Sequence, residues 1–178
     1  MNSLPKTRTE QILSVMPILA WVAFVGYAIE AGGILVSYGV SWANPDASSN
    51  LHRGLDLSTL RDFSFMHYTY SVSFLVGLAL MKAWTSYLVI RLLSKFTLEN
   101  PFSKEVAQRL ENISVYSFGT WVVTMLYNAH MGWLVKRYEG YEGNWLSGEF
   151  IFIVGVMFIL AQVFKRGVEI QSENELTV

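Results

Sequence analysis

The chain has 178 residues, of which 52% are hydrophobic and 15% charged, and its formal net charge is −1. That charged share is well below the roughly 25% of soluble domains, and the apolar residues fall in long blocks, so the composition points to one integral membrane domain. A near-neutral charge excludes the basic surface of a nucleic-acid binder, and the absence of Cys excludes disulfides, thiolate metal sites and cysteine nucleophiles.

Residues 1–11 are polar and carry Lys6 and Arg8. Residues 12–38 form the first predicted span. A basic start before an apolar run is also the pattern of a signal peptide. This run is too long for one, and no small-x-small cleavage site follows, so it reads as a retained helix. Pro17 falls in its first turns, where a proline costs least. Residues 41–62 are a loop of turn formers, Asn44-Pro45-Asp46, Ser48-Ser49-Asn50 and Arg53-Gly54. Asp56 or Ser58 can cap a short helix leading into the second span. That span, residues 63–93, is longer than the roughly 20 residues a crossing needs. Its clean apolar part is 68–81, and Lys82 can run its stem toward the head groups.

Residues 97–112 are the longest polar interruption and read as a cytoplasmic joint between two membrane hairpins. Asn100 or Ser103 can cap a new helix there, and Pro101 suits a first helical position. Phe102, Val106, Leu110 and Ile113 recur at helical spacing, and Glu105 precedes Arg109 by four residues, the better order for a helical ion pair. The spacing predicts a short amphipathic helix running into the third span, 113–135. Residues 136–147 are a short loop with Tyr-Glu-Gly written twice. The fourth span is predicted at 146–164, and an acidic polar tail occupies 165–178.

Basic residues set the orientation. Lys6, Arg8, Arg91, Lys95, Lys104, Arg109, Lys165 and Arg166 share one set of ends, so both termini and the joint are expected in the cytoplasm. Trp42, Trp133, Tyr138, Tyr141 and Trp145 fall near the opposite boundary, as an aromatic belt does. Gly26, Glu30, Gly33 and Ser37 share a face of the first span, and Gly148, Gly155 and Gln162 share one of the fourth. Small residues let helices approach closely in lipid, so both faces are expected to be packing seams of the bundle.

Two stretches carry a family resemblance. Asn100-Pro101-Phe102 follows a basic second span, and the chain ends Phe164-Lys165-Arg166-Gly167-Val168-Glu169-Ile170-Gln171-Ser172-Glu173-Asn174-Glu175-Leu176-Thr177-Val178. Together they resemble the YoaS-like family of bacterial four-span membrane proteins, a domain of unknown function. The resemblance implies four spans, no established activity, and genes beside small helix-turn-helix regulators. It makes such a regulator the expected partner of the joint and tail, through Asn100, Pro101, Phe102, Glu169, Glu173, Glu175 and Leu176.

Ionisable groups at membrane depth are costly and therefore functional candidates. Glu30, His67, Asn128, His130 and Glu149 are all placed in the outer half by counting helical rise. A Glu–His cluster there can hold a proton or a divalent metal, though structural pairing of Glu30 with His130 or Asn128 is the reading favoured here. No Gly-x-Ser-x-Gly, phosphate-cradling glycine loop or His-Glu-x-x-His is present. No catalytic residue, cofactor or resident metal is therefore expected.

The expected fold is an all-α membrane four-helix bundle with a long second helix and a short amphipathic helix at the joint. The expected function is a non-enzymatic inner-membrane module whose cytoplasmic face engages a protein partner. The alternatives are a proton-, metal- or ligand-responsive sensor or carrier built on Glu30 and His130, and a structural subunit of a larger membrane complex.

Overall fold

The computed structural model describes residues 7–95 and 103–175. Asn100, Pro101, Phe102 and Leu176 lie outside the described residues, as does the side chain of Glu175. Five α-helices and one short 3-10 helix occur among the described residues: α1 (Arg8–Val40), a 3-10 turn (Pro45–Asn50), α2 (Ser58–Phe63), α3 (Phe65–Leu93), α4 (Lys104–Arg137) and α5 (Ile151–Glu175).

The chemistry of each boundary is local. Helix α1 tolerates Pro17 within its third turn, at the cost of one unpaired carbonyl on the preceding turn. It stops before Asn44-Pro45, because a residue ahead of proline is pushed out of the helical region. Asn44 is extended, and its side chain accepts from the Asp46 N–H to start the 3-10 turn. Arg53 and Gly54 then take positive φ, 49° and 83°, which turns the chain back so that the Leu51 N–H bonds the Leu55 carbonyl at 2.8 Å. Asp56 accepts from the Ser58 N–H at 2.8 Å, bracing the first residue of α2. Ser64 is extended and breaks α2 from α3, then caps α3 by accepting from the His67 N–H. The short helix expected to lead into the second span is α2, and the span expected from residue 63 starts at Phe65. Ser103 rather than Asn100 caps α4, accepting from the Val106 N–H at 3.2 Å.

The amphipathic joint helix does not stand alone. It is the first turns of α4, whose 34 residues make it the longest helix, ahead of the 29-residue α3. Glu105 and Arg109 form the expected i,i+4 pair at 2.5 Å. Arg109 also donates to the Arg91 carbonyl at 3.1 Å, tying the start of α4 to the end of α3.

Helix α3 packs between α1 and α4, and α5 packs on α4 alone. Helices α1 and α5 do not touch, so the four long helices make an open array rather than a closed bundle around a common core. The Tyr38–Thr69 hydroxyl pair at 2.9 Å and the Phe24–Tyr87 ring contact set α1 antiparallel to α3. His67–His130 and Trp84–Tyr116 do the same for α3 and α4.

The buried core gathers at one end of this array, under the 3-10 turn and α2. Leu51, Leu57 and Leu60 of that cap are almost fully buried, beside Tyr68, Tyr127, Met131 and Leu134 of α3 and α4. Burying each leucine contributes roughly 1.5–3 kcal/mol. Ser41 knots the layers together. Its hydroxyl donates to the Tyr38 carbonyl at 2.7 Å and accepts from Tyr68 Oη at 2.9 Å, and its carbonyl accepts from Arg61 Nη2 at 2.9 Å.

Away from that end the helices expose their apolar side chains. Val22, Val36 and Phe152 are 65%, 68% and 78% exposed. Contiguous apolar exposure on that scale marks a surface not meant for water. Among the described residues three helices are long and apolar enough to cross a membrane: Gln11–Val40, Phe65–Leu93 and Ile151–Glu173.

Candidate functional site

The five polar residues expected at membrane depth do not form one cluster. Glu30 lies on α1, half-buried, and α1 makes no contact with α4, so Glu30 does not pair with His130 or Asn128. The reason is the open array: α3 stands between the two helices.

Asn128 instead holds the backbone of the segment that follows α4. Its Nδ2 donates to the Leu146 carbonyl at 2.7 Å, and its Oδ1 accepts from the Leu146 N–H at 3.0 Å. Two turns further along α4, Trp121 Nε1 donates to the Gly148 carbonyl at 3.1 Å. Residues 141–148 therefore run as irregular chain back along α4, with Asn128 and Trp121 of α4 bonding the backbone of Leu146 and Gly148. Irregular backbone survives at membrane depth only where protein supplies its hydrogen bonds. Helix α5 consequently begins at Ile151, beside Trp121, which is about 24 Å along α4 from Arg137 by helical rise. The expected fourth span started at residue 146, and its first residues are this extended strap. Glu149 is exposed, its N–H donating to Ser147 Oγ at 3.4 Å.

The strap is shaped by the doubled Tyr-Glu-Gly. Gly140 and Gly143 take φ of 82° and 76°, a region that only glycine enters cheaply. Tyr141 between them is 8% exposed and its hydroxyl donates to Met131 Sδ. It belongs to the core and not to a surface belt. Trp42, Trp133 and Trp145 are exposed at this end.

His67 and His130 do meet. Their ring centroids are 5.5 Å apart, walled by Trp133, Tyr138 and Phe74. His67 Nδ1 and His130 Nε2 are buried and bond to nothing in the structure. The α3 N-cap and the α3–α4 packing set this geometry, and the two residues are 63 positions apart, so spacing alone does not announce it. Among the described residues no three His, Cys, Asp or Glu side chains gather to hold a metal. Two imidazoles fall short of the three or four protein ligands of a zinc site.

The glycine seams resolve unevenly. A Cβ at Gly33 would lie 2.8 Å from His52 Nδ1, so Gly33 makes room for the loop imidazole rather than for a helix. A Cβ at Gly26 or Gly155 would meet nothing within 4 Å. Those two positions are not close-approach seams. Gly148 does sit tight, against Met125 and Trp121.

The tail residues stay helical. Arg166 pairs with Glu169 at 2.7 Å on an exposed face, and α5 continues through Glu173 to Glu175.

The apolar helices and their exposed faces define an all-α membrane protein. It belongs to the DUF2975 family, described as a protein of unknown function, whose profile matches residues 42–178. No curated protein and no solved structure matches the chain.

Proposed function

We propose that the chain is a non-enzymatic module of the bacterial inner membrane that presents the end of α5 to a cytoplasmic protein partner. The observation carrying this reading is the continuity of α5. It runs 25 residues without a break, past Lys165 and Arg166, so its last turns extend about 15 Å beyond the apolar run. An unbroken helix leaving the bilayer suits docking better than a tail folded back on the joint. Glu169, Glu173 and Glu175 give it an acidic character, with Leu176 and the joint residues Asn100, Pro101 and Phe102 on the same side of the membrane. On the joint and the ending after Phe164 we place the chain with the YoaS-like proteins, and a small basic helix-turn-helix regulator is the partner that likeness favours.

This reading has four crossings and both termini in the cytoplasm. Helix α4 is the added crossing. It is less apolar than the others because protein covers it on two sides, and its Ser114, Thr120 and Thr124 hydroxyls donate to its own carbonyls. Arg8, Arg91, Arg109, Lys165 and Arg166 fall at one end of the array, which supports the cytoplasmic assignment by the positive-inside rule.

The test is co-purification from native membranes after gentle detergent extraction. Deleting residues 172–178 should leave insertion and the melting temperature unchanged while at least halving recovery of the cytoplasmic partner. Equal recovery with the truncated chain stably inserted removes α5 as the docking element.

A second reading rests on the paired imidazoles. Two ring nitrogens buried without partners between Trp133 and Phe74 are what a proton- or small-ligand-responsive site would present. The sensor is then His67 with His130, and Glu30 has no part in it. A Trp133 fluorescence titration between about pH 5 and pH 8 that is flat in wild type, or unchanged by His67→Gln, rejects it.

A further inference from the structure

Helices α1 and α5 stand apart, and a groove of about 360 Å³ lies between them, floored by α3 and α4. Among the described residues that line it, Lys82 is the only charged one, with Tyr27, Thr85, Ser117, Ile153 and Met157 among its walls. We propose that this groove binds one amphiphilic carboxylic acid drawn from the bilayer, its carboxylate on the Lys82 ammonium and its apolar chain against α5.

Four observations converge on that ligand. The first is depth. By helical rise Lys82 is roughly 26 Å from the start of α3 at Phe65 and about 13 Å from Arg91. It therefore sits well inside a hydrocarbon core about 30 Å thick. The second is the direction of its side chain. The ammonium lies 5.7 Å from the centre of the Tyr27 ring on α1, so it crosses the groove instead of running toward the basic end. The expected escape to the head groups is not taken. The third is charge. No carboxylate among the described residues lies within ion-pair distance of Lys82. Glu30 and Glu149 are on neighbouring segments but do not line the groove. An ammonium at membrane depth that meets the Tyr27 ring but no carboxylate calls for an anion. The fourth is composition. The Ser117 hydroxyl has no hydrogen-bond partner among the described residues and can donate to a carboxylate, while Ile153 at 61% exposure offers an open apolar wall. The volume falls at the small end of the range for small-molecule pockets. An anionic phospholipid is disfavoured, since its head group would have to leave the interface to reach Lys82.

The test uses the full chain in nanodiscs of phosphatidylcholine, with labelled oleic acid as the probe and oleyl alcohol and phosphatidylglycerol as competitors. Oleate should bind saturably at one per chain, and neither competitor should displace it at equal concentration. Lys82→Met should weaken binding by about tenfold or more, and Lys82→Arg by less than about threefold. Ile153→Trp keeps the charge and fills the groove, so it should also abolish binding, and it decides the matter if Lys82→Met fails to fold. Unchanged oleate affinity in Ile153→Trp overturns the proposal. So does equal displacement by oleyl alcohol, which means an apolar groove without charge recognition. Displacement by phosphatidylglycerol overturns it in favour of a head-group site. A dimer that Ile153→Trp dissociates, with no oleate bound to either form, overturns it in favour of a second copy in the groove. Restoration of oleate binding to Lys82→Met by adding Glu149→Gln overturns it in favour of an internal charge balance.

Discussion

At the scale of single residues, the polar groups divide by what they touch. Asn128 uses both ends of its amide on one backbone unit, so Asn128→Ala orphans the Leu146 N–H and carbonyl together. Each unsatisfied group costs about 1–3 kcal/mol, and the melting temperature in detergent should fall by several degrees. Asn128→Asp keeps the acceptor and loses the donor, so it should fall in between. A melting temperature for Asn128→Ala equal to wild type would mean the strap is not held there. Gly33 and Gly26 offer a paired test. Gly33→Ala drives a methyl into the His52 ring and should destabilise, whereas Gly26→Ala meets open space and should be neutral or stabilising by about 0.5–1 kcal/mol. Equal effects at the two sites would contradict the loop contact. The sequence marked Asn128 as a polar residue in an apolar span. It gave no sign that its partner is a main-chain unit, because backbone groups have no residue type to read.

At the scale of elements, α4 and α5 carry the surprises. The amphipathic stripe from Val106 to Ile113 was legible as helix, and so was the Glu105–Arg109 pair. Arg109 holds the Glu105 carboxyl below its ordinary value of 4.5. A folded value under the unfolded one stabilises the helix start above pH 4.5, and that contribution is lost as the pH falls through the lower folded value. Glu105 is exposed and screened by salt, so the effect should be small. Glu105→Gln should flatten the pH dependence of amide exchange in the first turns of α4 between pH 3 and pH 5, a window about a unit either side of the ordinary carboxylate value. An unaltered profile would show that the pair contributes nothing measurable. The start of α5 was not legible. Residues 146–150 read Leu-Ser-Gly-Glu-Phe directly ahead of the apolar run, and the hydrogen bonds from Asn128 and Trp121 to the Leu146 and Gly148 backbone hold the extended form there.

At the scale of the whole molecule, the open order α1, α3, α4, α5 decides what can meet. It separates Glu30 from His130, brings His67 to His130, and leaves the Lys82 groove unfilled. Glu30→Leu should therefore leave the packing of α4 intact and raise the melting temperature, since it removes an unpaired carboxyl from an apolar helix. A loss of stability would mean that Glu30 finds a partner the open array denies it. Reporter fusions at Asn2, Asn100 and Val178 should read cytoplasmic, and fusions at Ser48 and Gly140 external. An external signal at Asn100 would sink the four-crossing reading, because it requires a different number of crossings before the joint.

The sequence by itself determined the class: long apolar blocks dictate helices, because a chain in lipid must satisfy its backbone internally. It also determined where most helices start and stop, since caps, prolines and glycines act within a few residues of themselves. Only the tertiary structure decided which helices are neighbours, which polar residues meet, and where the chain leaves helix to lie along α4. Those outcomes depend on contacts between residues far apart in sequence. Periodicity shows that a helix has a face, and the partner for that face is chosen by the packing of the whole array.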